Sequence, residues 1–150
     1  MIRLVAPGEW DRVREIRLRA LADTPDAFGS TYGDEVRNGE TEWRAWVTGW
    51  EGTRNAMVVA EAEDAWVGMA VGSRSGEGSD AHMYAMWVDP AQRRRGVGAR
   101  LVEEVLSWAR TWEARAVVLG VTQRNDAERF YERLGFEDTV SATRFGRGAP

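Results

Sequence analysis

A long amphipathic helix between two apolar strands constrains the fold of this 150-residue chain more than any other feature. The segment from Met83 to Val88 is an apolar strand closed by Asp89 and Pro90, and Ala116 to Val121 is a second, almost continuously apolar strand. Between them, the apolar residues from about Val97 to Glu113 recur at the helical period. A strand, a helix and a strand in this order predict a parallel crossover, with the second strand covered on both faces.

The remaining patterns predict the elements on either side of this unit. Glu63 and Asp64 separate two β-rich runs, which indicates a hairpin. Gly135 ends a short helix, and one or two closing strands follow it. We therefore expect a single α/β domain over residues 1–150, with antiparallel pairs first and the parallel crossover later. The predicted elements are strands at Ile2 to Val5, Ala56 to Ala62, Ala65 to Ser73 and Phe136 to Phe145, and helices at Trp10 to Leu21, around Trp43 to Trp50, and at Asp126 to Leu134.

Composition excludes several classes of function. The chain has no cysteine, which removes disulfides, thiolate metal sites and a cysteine nucleophile. All 20 basic residues are arginine, so neither a Schiff-base lysine nor a phosphate-loop lysine is available. The net charge of −4 argues against general nucleic-acid binding. No apolar run suits a signal peptide or a membrane span, so we expect a cytoplasmic protein. We also expect that the protein binds no metal.

The turn between Val88 and Leu101 carries the chemistry. Free N–H groups at a helix start, together with the positive end of the macrodipole, form an anion site. Gly96 and Gly98 let a phosphate approach the backbone, and the arginines before them add charge. A diphosphate would suit such a site. A tight turn with solvated arginines is the alternative explanation. The three arginines are Arg93, Arg94 and Arg95.

Two common glycine motifs do not fit this turn. The dinucleotide fingerprint requires a third glycine at the position that Leu101 occupies. The nucleoside-triphosphate loop requires a lysine, which the chain lacks. A nucleotide-binding or interaction module that uses the arginine turn for another anion, such as ATP or NAD, stays an alternative.

The turn resembles the main cofactor motif of the GNAT acyltransferase superfamily, Arg/Gln-x-x-Gly-x-Gly/Ala after a strand ending in Val-x-Pro. Arg93, Gly96 and Gly98 fill that motif, and a second block from Asn125 to Phe136 resembles the second family signature. The resemblance covers nearly the whole chain. It implies a central mixed, mostly antiparallel sheet of six to seven strands flanked by four helices. That sheet would splay open between its fourth and fifth strands to admit acetyl-CoA.

The resemblance also implies an acetyl-CoA-dependent N-acetyltransferase that acts directly on a primary amine of a small molecule or a protein. The pantetheine arm would pair with the fourth strand by β-augmentation, and one strand N–H would polarise the thioester carbonyl. Asn125 would bond the arm, although a helix N-cap also explains it. The implied cofactor-binding residues are Met86, Trp87, Val88, Arg93, Arg94, Arg95, Gly96, Val97, Gly98, Ala99 and Asn125.

Tyr131 occupies the family position of the general acid that protonates the departing thiolate. A core tyrosine is the alternative, because Tyr131 belongs to an apolar stripe. His82 is the candidate base, since the period-two rule places residues 82, 84, 86 and 88 on one face of the strand. A solvated or packed histidine is the alternative there. Glu35 and Tyr84 are weaker candidates for the base.

The sequence leaves the acceptor open. The acceptor pocket of the family is built from the first two helices, whose aromatic residues form either core or an acceptor wall. A catalytically silent acyl-CoA sensor and an enzyme for longer acyl chains remain alternatives. A homodimer is a further expectation from the family. The aromatic residues are Phe28, Tyr32, Trp43, Trp46 and Trp50.

Overall fold

The structure is a computed structural model that describes residues 1–24, 31–48, 55–74, 79–120, 126–138 and 144–148. Within these residues it contains seven β-strands and five α-helices. The strands are β1 (Ile2–Leu4), β2 (Asn55–Ala62), β3 (Ala65–Arg74), β4 (Asp80–Val88), β5 (Ala116–Gly120), β6 (Glu137–Asp138) and β7 (Arg144–Gly148). The helices are α1 (Trp10–Asp23), α2 (Tyr32–Glu35), α3 (Glu40–Thr48), α4 (Val97–Thr111) and α5 (Asp126–Arg133).

The seven strands form one mixed sheet in the order β1-β2-β3-β4-β5-β7-β6. Only β4 and β5 run parallel, joined through α4, and the other neighbouring pairs are antiparallel. Glu63 and Asp64, with φ of 52° and 67°, form the two-residue turn between β2 and β3. The predicted mixed sheet, hairpin and crossover are therefore confirmed.

Two details of the helices differ from the sequence prediction. The four-residue helix α2 adds a fifth helix, and it begins where the Thr31 side chain accepts a hydrogen bond from the Asp34 N–H at 3.1 Å. Helix α1 continues to Asp23, two residues beyond the predicted end at Leu21. The added turn matters for the site, because it brings Asp23 to the end of β4.

The sheet buries a different set of side chains on each face. Along β2, residues 56, 58 and 60 pack on the α4 side, and residues 57 and 59 pack on the α1 side. This alternation follows from the period of two in a strand. Trp43 is 2% exposed and belongs to the core under α1, whereas Trp46 is half-buried beside it. Of the described aromatic residues on α3, Trp43 is therefore core and Trp46 lies at its rim.

Helix α4 lies unusually close to β3 because small residues face it. A Cβ atom built on Gly68 would lie 3.0 Å from Leu101 Cδ1 and 3.3 Å from Val97 Cγ1. A Cβ atom on Gly72 would lie 2.7 Å from Cζ3 of Trp108. Ala70 lies between these glycines in the same core cluster. This close contact fixes the position of α4 and therefore of its first turn.

We expect Gly72→Ala to lower the free energy of unfolding by about 1–3 kcal/mol, the usual cost of overpacking a core. Trp108 is 8% exposed and has little room to move away from the added methyl group. Urea denaturation followed by tryptophan fluorescence would measure the change. Gly33→Ala is the control, because a Cβ there meets nothing within 4 Å. Equal stability of the two variants would contradict the close packing of α4.

Candidate active site

The described pairing of β4 with β5 ends halfway along β4, and we call the edge of β4 from Tyr84 to Val88 the opening. In the described residues, β4 pairs with β5 only from Asp80↔Ala116 to Met83↔Leu119. Strand β4 continues to Val88, and its later residues remain paired with β3. One side of the β4 backbone beyond Met83 therefore has no described partner strand. The splay between the fourth and fifth strands stays a prediction, because residues 121–125, which follow β5, lie outside the described residues.

A β-bulge lies in β4 at the start of this opening. Val71 pairs with Tyr84 and Met69 pairs with Trp87, so Ala85 and Met86 both stand opposite the single residue Ala70. Ala85 has φ of 54°, which is uncommon for a residue with a side chain. The extra residue changes which side chains share a face.

The prediction that residues 82, 84, 86 and 88 share one face is therefore wrong. Met86 and Val88 pack on the α4 side, as do Ala81 and Met83 before the bulge. His82 and Tyr84 alternate with Ala81 and Met83 and lie on the α1 side, where Ala85 and Trp87 also pack. The bulge supplies the physical reason, because one added residue reverses the facing of every residue after it.

The backbone of Val88 is directed into the opening. The Asp89 N–H donates to the Val67 carbonyl at 2.8 Å, so Asp89 and, two residues earlier, Trp87 direct their backbone groups to β3. By alternation, the N–H and C=O of Val88 point to the open side. The Val88 carbonyl accepts a hydrogen bond there from Arg93 Nε at 2.9 Å. The Val88 N–H therefore suits the predicted role of a strand donor to the cofactor arm.

Helix α4 begins beside this opening without a side-chain cap. Arg94 and Gly96 have φ of 65° and 80°, and Gly96 is the N-cap residue. The Arg100 N–H makes the first helical bond, to the Gly96 carbonyl at 3.2 Å. The N–H groups of Val97, Gly98 and Ala99 precede that bond and have no partner within the helix. Together with the macrodipole they form the anion site predicted from the sequence.

The two glycines of the motif have different structural tasks. A Cβ atom on Gly96 would meet nothing within 4 Å, so this position needs glycine for its positive φ rather than for space. A Cβ atom on Gly98 would lie 3.1 Å from both Met86 Cε and Phe130 Cζ. Gly98 therefore lets the start of α4 approach both β4 and α5.

The three arginines of the turn differ in their partners. Arg93 Nη2 forms an ion pair with Asp23 Oδ2 at 2.6 Å, and its Nε binds the Val88 carbonyl. The side-chain charge of Arg93 is thus paired with Asp23. Arg94 and Arg95 are exposed on the same turn. These two supply the positive charge that lies next to the helix N-terminus.

The residues of α1 that brace this corner were not predicted from the sequence. Asp23 Oδ2 also accepts a hydrogen bond from Trp87 Nε1 at 2.9 Å. This hydrogen bond, and secondly the contact with Arg93, hold the pKa of Asp23 below its usual value. Arg19 forms an ion pair with Asp89 and lies over the Trp87 ring at 5.3 Å. An acidic residue at the end of a helix without a basic neighbour in that turn was the available signal.

Tyr131 lies on α5 in the core cluster that contains Met86 and Val88. It is 8% exposed and contacts the rings of Phe130 and Phe136 at 5.0 and 5.8 Å between centroids. Burial raises the pKa of Tyr131 to about 12. Tyr131 is therefore a core residue whose hydroxyl stays protonated at neutral pH. It lies on the α4 side of the sheet, as do Met86 and Val88.

Two of the three candidate bases, His82 and Tyr84, lie on the α1 side of the sheet, opposite to Tyr131. The third, Glu35, is paired with Arg17. His82 stands where β4 is paired on both sides, opposite Ser73 and Val118. Tyr84 is 44% exposed at the bulge, and burial raises its pKa although the charge of Arg17 lowers it. Both carboxylate oxygens of Glu35 accept hydrogen bonds from Arg17, at 2.9 and 3.0 Å. That pairing makes Glu35 the least available of the three.

Some predicted site residues lie outside the described residues. These are Asn125, with its cofactor contact, and the acceptor-wall candidates Phe28 and Trp50. In the part of the chain that the structure describes, no three His, Cys, Asp or Glu side chains come together as a metal site would require. No described helix combines the length and apolar character needed to cross a membrane.

We expect Gly96→Ala to lower the free energy of unfolding by about 1–2 kcal/mol, the cost of holding an L-residue in the left-handed region. The same change should weaken anion binding at the start of α4, because relaxation of φ redirects the neighbouring N–H groups. Thermal unfolding and phosphate-dependent stabilisation would measure the two effects. Unchanged values for both would show that Gly96 tolerates a side chain.

Comparisons with known proteins agree with this geometry. Residues 10–136 match the model of the Acetyltransferase (GNAT) family. An uncharacterised N-acetyltransferase of Mycobacterium tuberculosis is 35% identical over 92 residues, which span 61% of this chain and 57% of that relative. The match thus spans less than two thirds of the length of this curated relative.

Solved structures share the fold at low sequence identity. An acetyltransferase of the GNAT family from Streptococcus pneumoniae is 17% identical, with a TM-score of 0.83 over 100% of this chain and 99% of that one. The Salmonella typhimurium protein yncA, solved with its cofactor acetyl-CoA, is 20% identical, with a TM-score of 0.78 over 100% and 94% of the two chains. On the family match and the shared fold, the chain belongs to the GNAT family of acetyltransferases.

Proposed function

We propose that the protein transfers an acetyl group from acetyl-CoA directly to a primary amine of a small molecule or a protein. The observation that carries this proposal is the meeting of two features at one corner. The open side of β4, with the Val88 N–H directed into it, lies next to the uncapped N-terminus of α4. An extended arm and a diphosphate joined end to end fit such a corner.

The residues present suit the diphosphate of acetyl-CoA. The N–H groups of Val97, Gly98 and Ala99 are available at the helix start, and nothing lies within 4 Å of the Cβ position of Gly96. Arg94 and Arg95 are exposed on the adjoining turn. Each hydrogen bond to a charged group contributes about 1.5–3 kcal/mol. We assign the pyrophosphate to these groups.

The bound thioester supplies the activated acetyl group, and the chain supplies its orientation. Val88, with Met86 two residues before it, offers the backbone N–H that polarises the thioester carbonyl. The acceptor amine approaches from the α1 face, on which His82 and Tyr84 lie. His82 is the proposed base. Because β4 pairs with a strand on both sides at this residue, His82 is held away from the opening, and it acts through a water. We therefore assign the cofactor and the acceptor to opposite faces of β4.

Tyr131 is the proposed hydrogen-bond donor to the leaving sulfur. Its pKa of about 12 lies above that of an ordinary thiol, near 8.5, so complete proton transfer to a thiolate is unfavourable. Tyr131 therefore acts chiefly by donating a hydrogen bond to the sulfur as negative charge develops. Asn125 is the proposed partner of the cofactor arm, at the start of α5.

We expect Tyr131→Phe to lower kcat by about 10- to 150-fold, the value of one hydrogen bond of about 1.5–3 kcal/mol to a charged group. The dissociation constant of acetyl-CoA should stay within twofold, because the hydroxyl acts on charge that develops during reaction. In the parent protein the donor stays protonated below about pH 12, and its contribution is lost as pH rises through that value. An unchanged kcat in the variant would leave Tyr131 as core alone.

Calorimetry with acetyl-CoA, free CoA, ATP and NAD tests the cofactor assignment. We expect tight binding of the two CoA compounds only, weakened at least tenfold by the double change Arg94→Gln and Arg95→Gln, which removes two charged hydrogen bonds. The double change Arg44→Gln and Arg115→Gln is the control, since both side chains are more than half exposed and lie on α3 and before β5. Equal binding of ATP and NAD would favour a general anion module.

The remaining parts of the proposal concern turnover and assembly. A parent protein that binds acetyl-CoA but acetylates no amine in a library would be a silent sensor, and a preference for longer acyl-CoA compounds would change the donor. A cytoplasmic location and a homodimer also belong to the proposal. Cell fractionation and sedimentation would test these two.

A further inference from the structure

The last two turns of α1 direct two charged side chains, Arg19 and Asp23, over the end of β4. Arg19 Nη1 donates to the Trp66 carbonyl at 2.9 Å, and its Nη2 forms the ion pair with Asp89. Asp23 stands four residues later, so it lies on the same face of the helix one turn further on. These side chains connect a helix on the α1 face to the strand end that borders the cofactor opening.

A single oxygen of Asp23 joins two parts of the site. Asp23 Oδ2 accepts hydrogen bonds from Trp87 Nε1 at 2.9 Å and from Arg93 Nη2 at 2.6 Å. Arg93 continues the chain of contacts, because its Nε donates to the Val88 carbonyl at 2.9 Å. The carboxylate thus controls the side chain that holds the peptide group directed into the opening.

Asp23 is electrostatically unfavourable at the C-terminus of α1, which indicates that its position serves these contacts. A carboxylate at a helix C-terminus opposes the macrodipole, and this turn of α1 contains no basic residue. The side chains of Asp23 and Arg93 are 29% and 45% exposed, and ion pairs of that exposure add little stability. The contribution of the pair is therefore orientation of Arg93 rather than stability of the fold.

The orientation of Arg93 decides what Val88 offers to a ligand. While Arg93 occupies the Val88 carbonyl, the residue presents only its N–H to an extended arm in the opening. Without Asp23, Arg93 has no fixed direction and can release that carbonyl. A free carbonyl and a misdirected N–H would both weaken the pairing of strand and arm.

We propose that Asp23 is a positioning residue for the arm of acetyl-CoA, acting through Arg93 on the backbone of Val88. This inference rests on the proposed function of the same site. It assigns to Arg93, the first residue of the cofactor motif, a structural contact with the strand instead of a contact with phosphate. It also makes α1 part of the cofactor site although α1 lies on the other face of the sheet.

The test compares Asp23→Asn and Asp23→Ala with the parent protein. We expect the dissociation constant of CoA and the KM for acetyl-CoA to rise about tenfold, within the range of coupled contacts, while the KM for the amine stays within twofold. Asp80→Asn is the matched control, because Asp80 pairs with Arg115 at 3.3 Å at the opposite end of the same strand. The near-isosteric asparagine variant keeps the test valid if the alanine variant does not fold.

A double-mutant cycle with Arg93→Ala separates positioning from general structure. If Asp23 acts through Arg93, Asp23→Asn changes CoA affinity less than twofold once Arg93 is alanine. Additive losses, or an Asp23→Asn variant that binds CoA like the parent, would overturn the inference and leave the proposed function intact. A parent protein that binds no CoA would overturn both.

Discussion

The β-bulge at Ala85 is the constraint on which the arrangement of the site depends. One extra residue opposite Ala70 puts His82 and Tyr84 on the α1 face and Met86 and Val88 on the α4 face. The bulge lies just beyond the last described pair of β4 and β5, Met83↔Leu119. In a regular strand without the bulge, residues 82, 84, 86 and 88 would share one face of the sheet. With it, one strand presents different side chains on its two faces, as the proposed separation of cofactor and acceptor requires.

The first turn of α4 depends on packing some distance from the site. Gly68 and Gly72 let the helix approach β3 so closely that a Cβ atom at either position would meet its side chains within 3.0 Å. Gly98 allows the same approach to Met86 and Phe130. Because these contacts involve backbone and large buried side chains, the helix start has little freedom to shift. An anion site made of backbone N–H groups needs this rigidity, since its geometry is that of the helix itself.

The sequence predicted those features that recur at a regular period or depend on local chemistry. The hairpin turn at Glu63 and Asp64 and the periodic apolar face of α4 are examples. The bulge was not predicted, because Ala85 takes a positive φ without being glycine and the period of two gives no sign of an inserted residue. The contact of Asp23 with Arg93 joins residues 70 positions apart, and only the folded chain brings them together.

The proton chemistry follows from the two faces of the sheet. Tyr131 lies in the core on the α4 side, where burial keeps it protonated, as its proposed role toward the leaving sulfur requires. A free amine loses a proton as it attacks, and the proposed base, His82, lies with Tyr84 on the α1 side. Donor and acceptor of protons are thus separated by β4 itself. In the proposed reaction, the bound substrates connect these two groups.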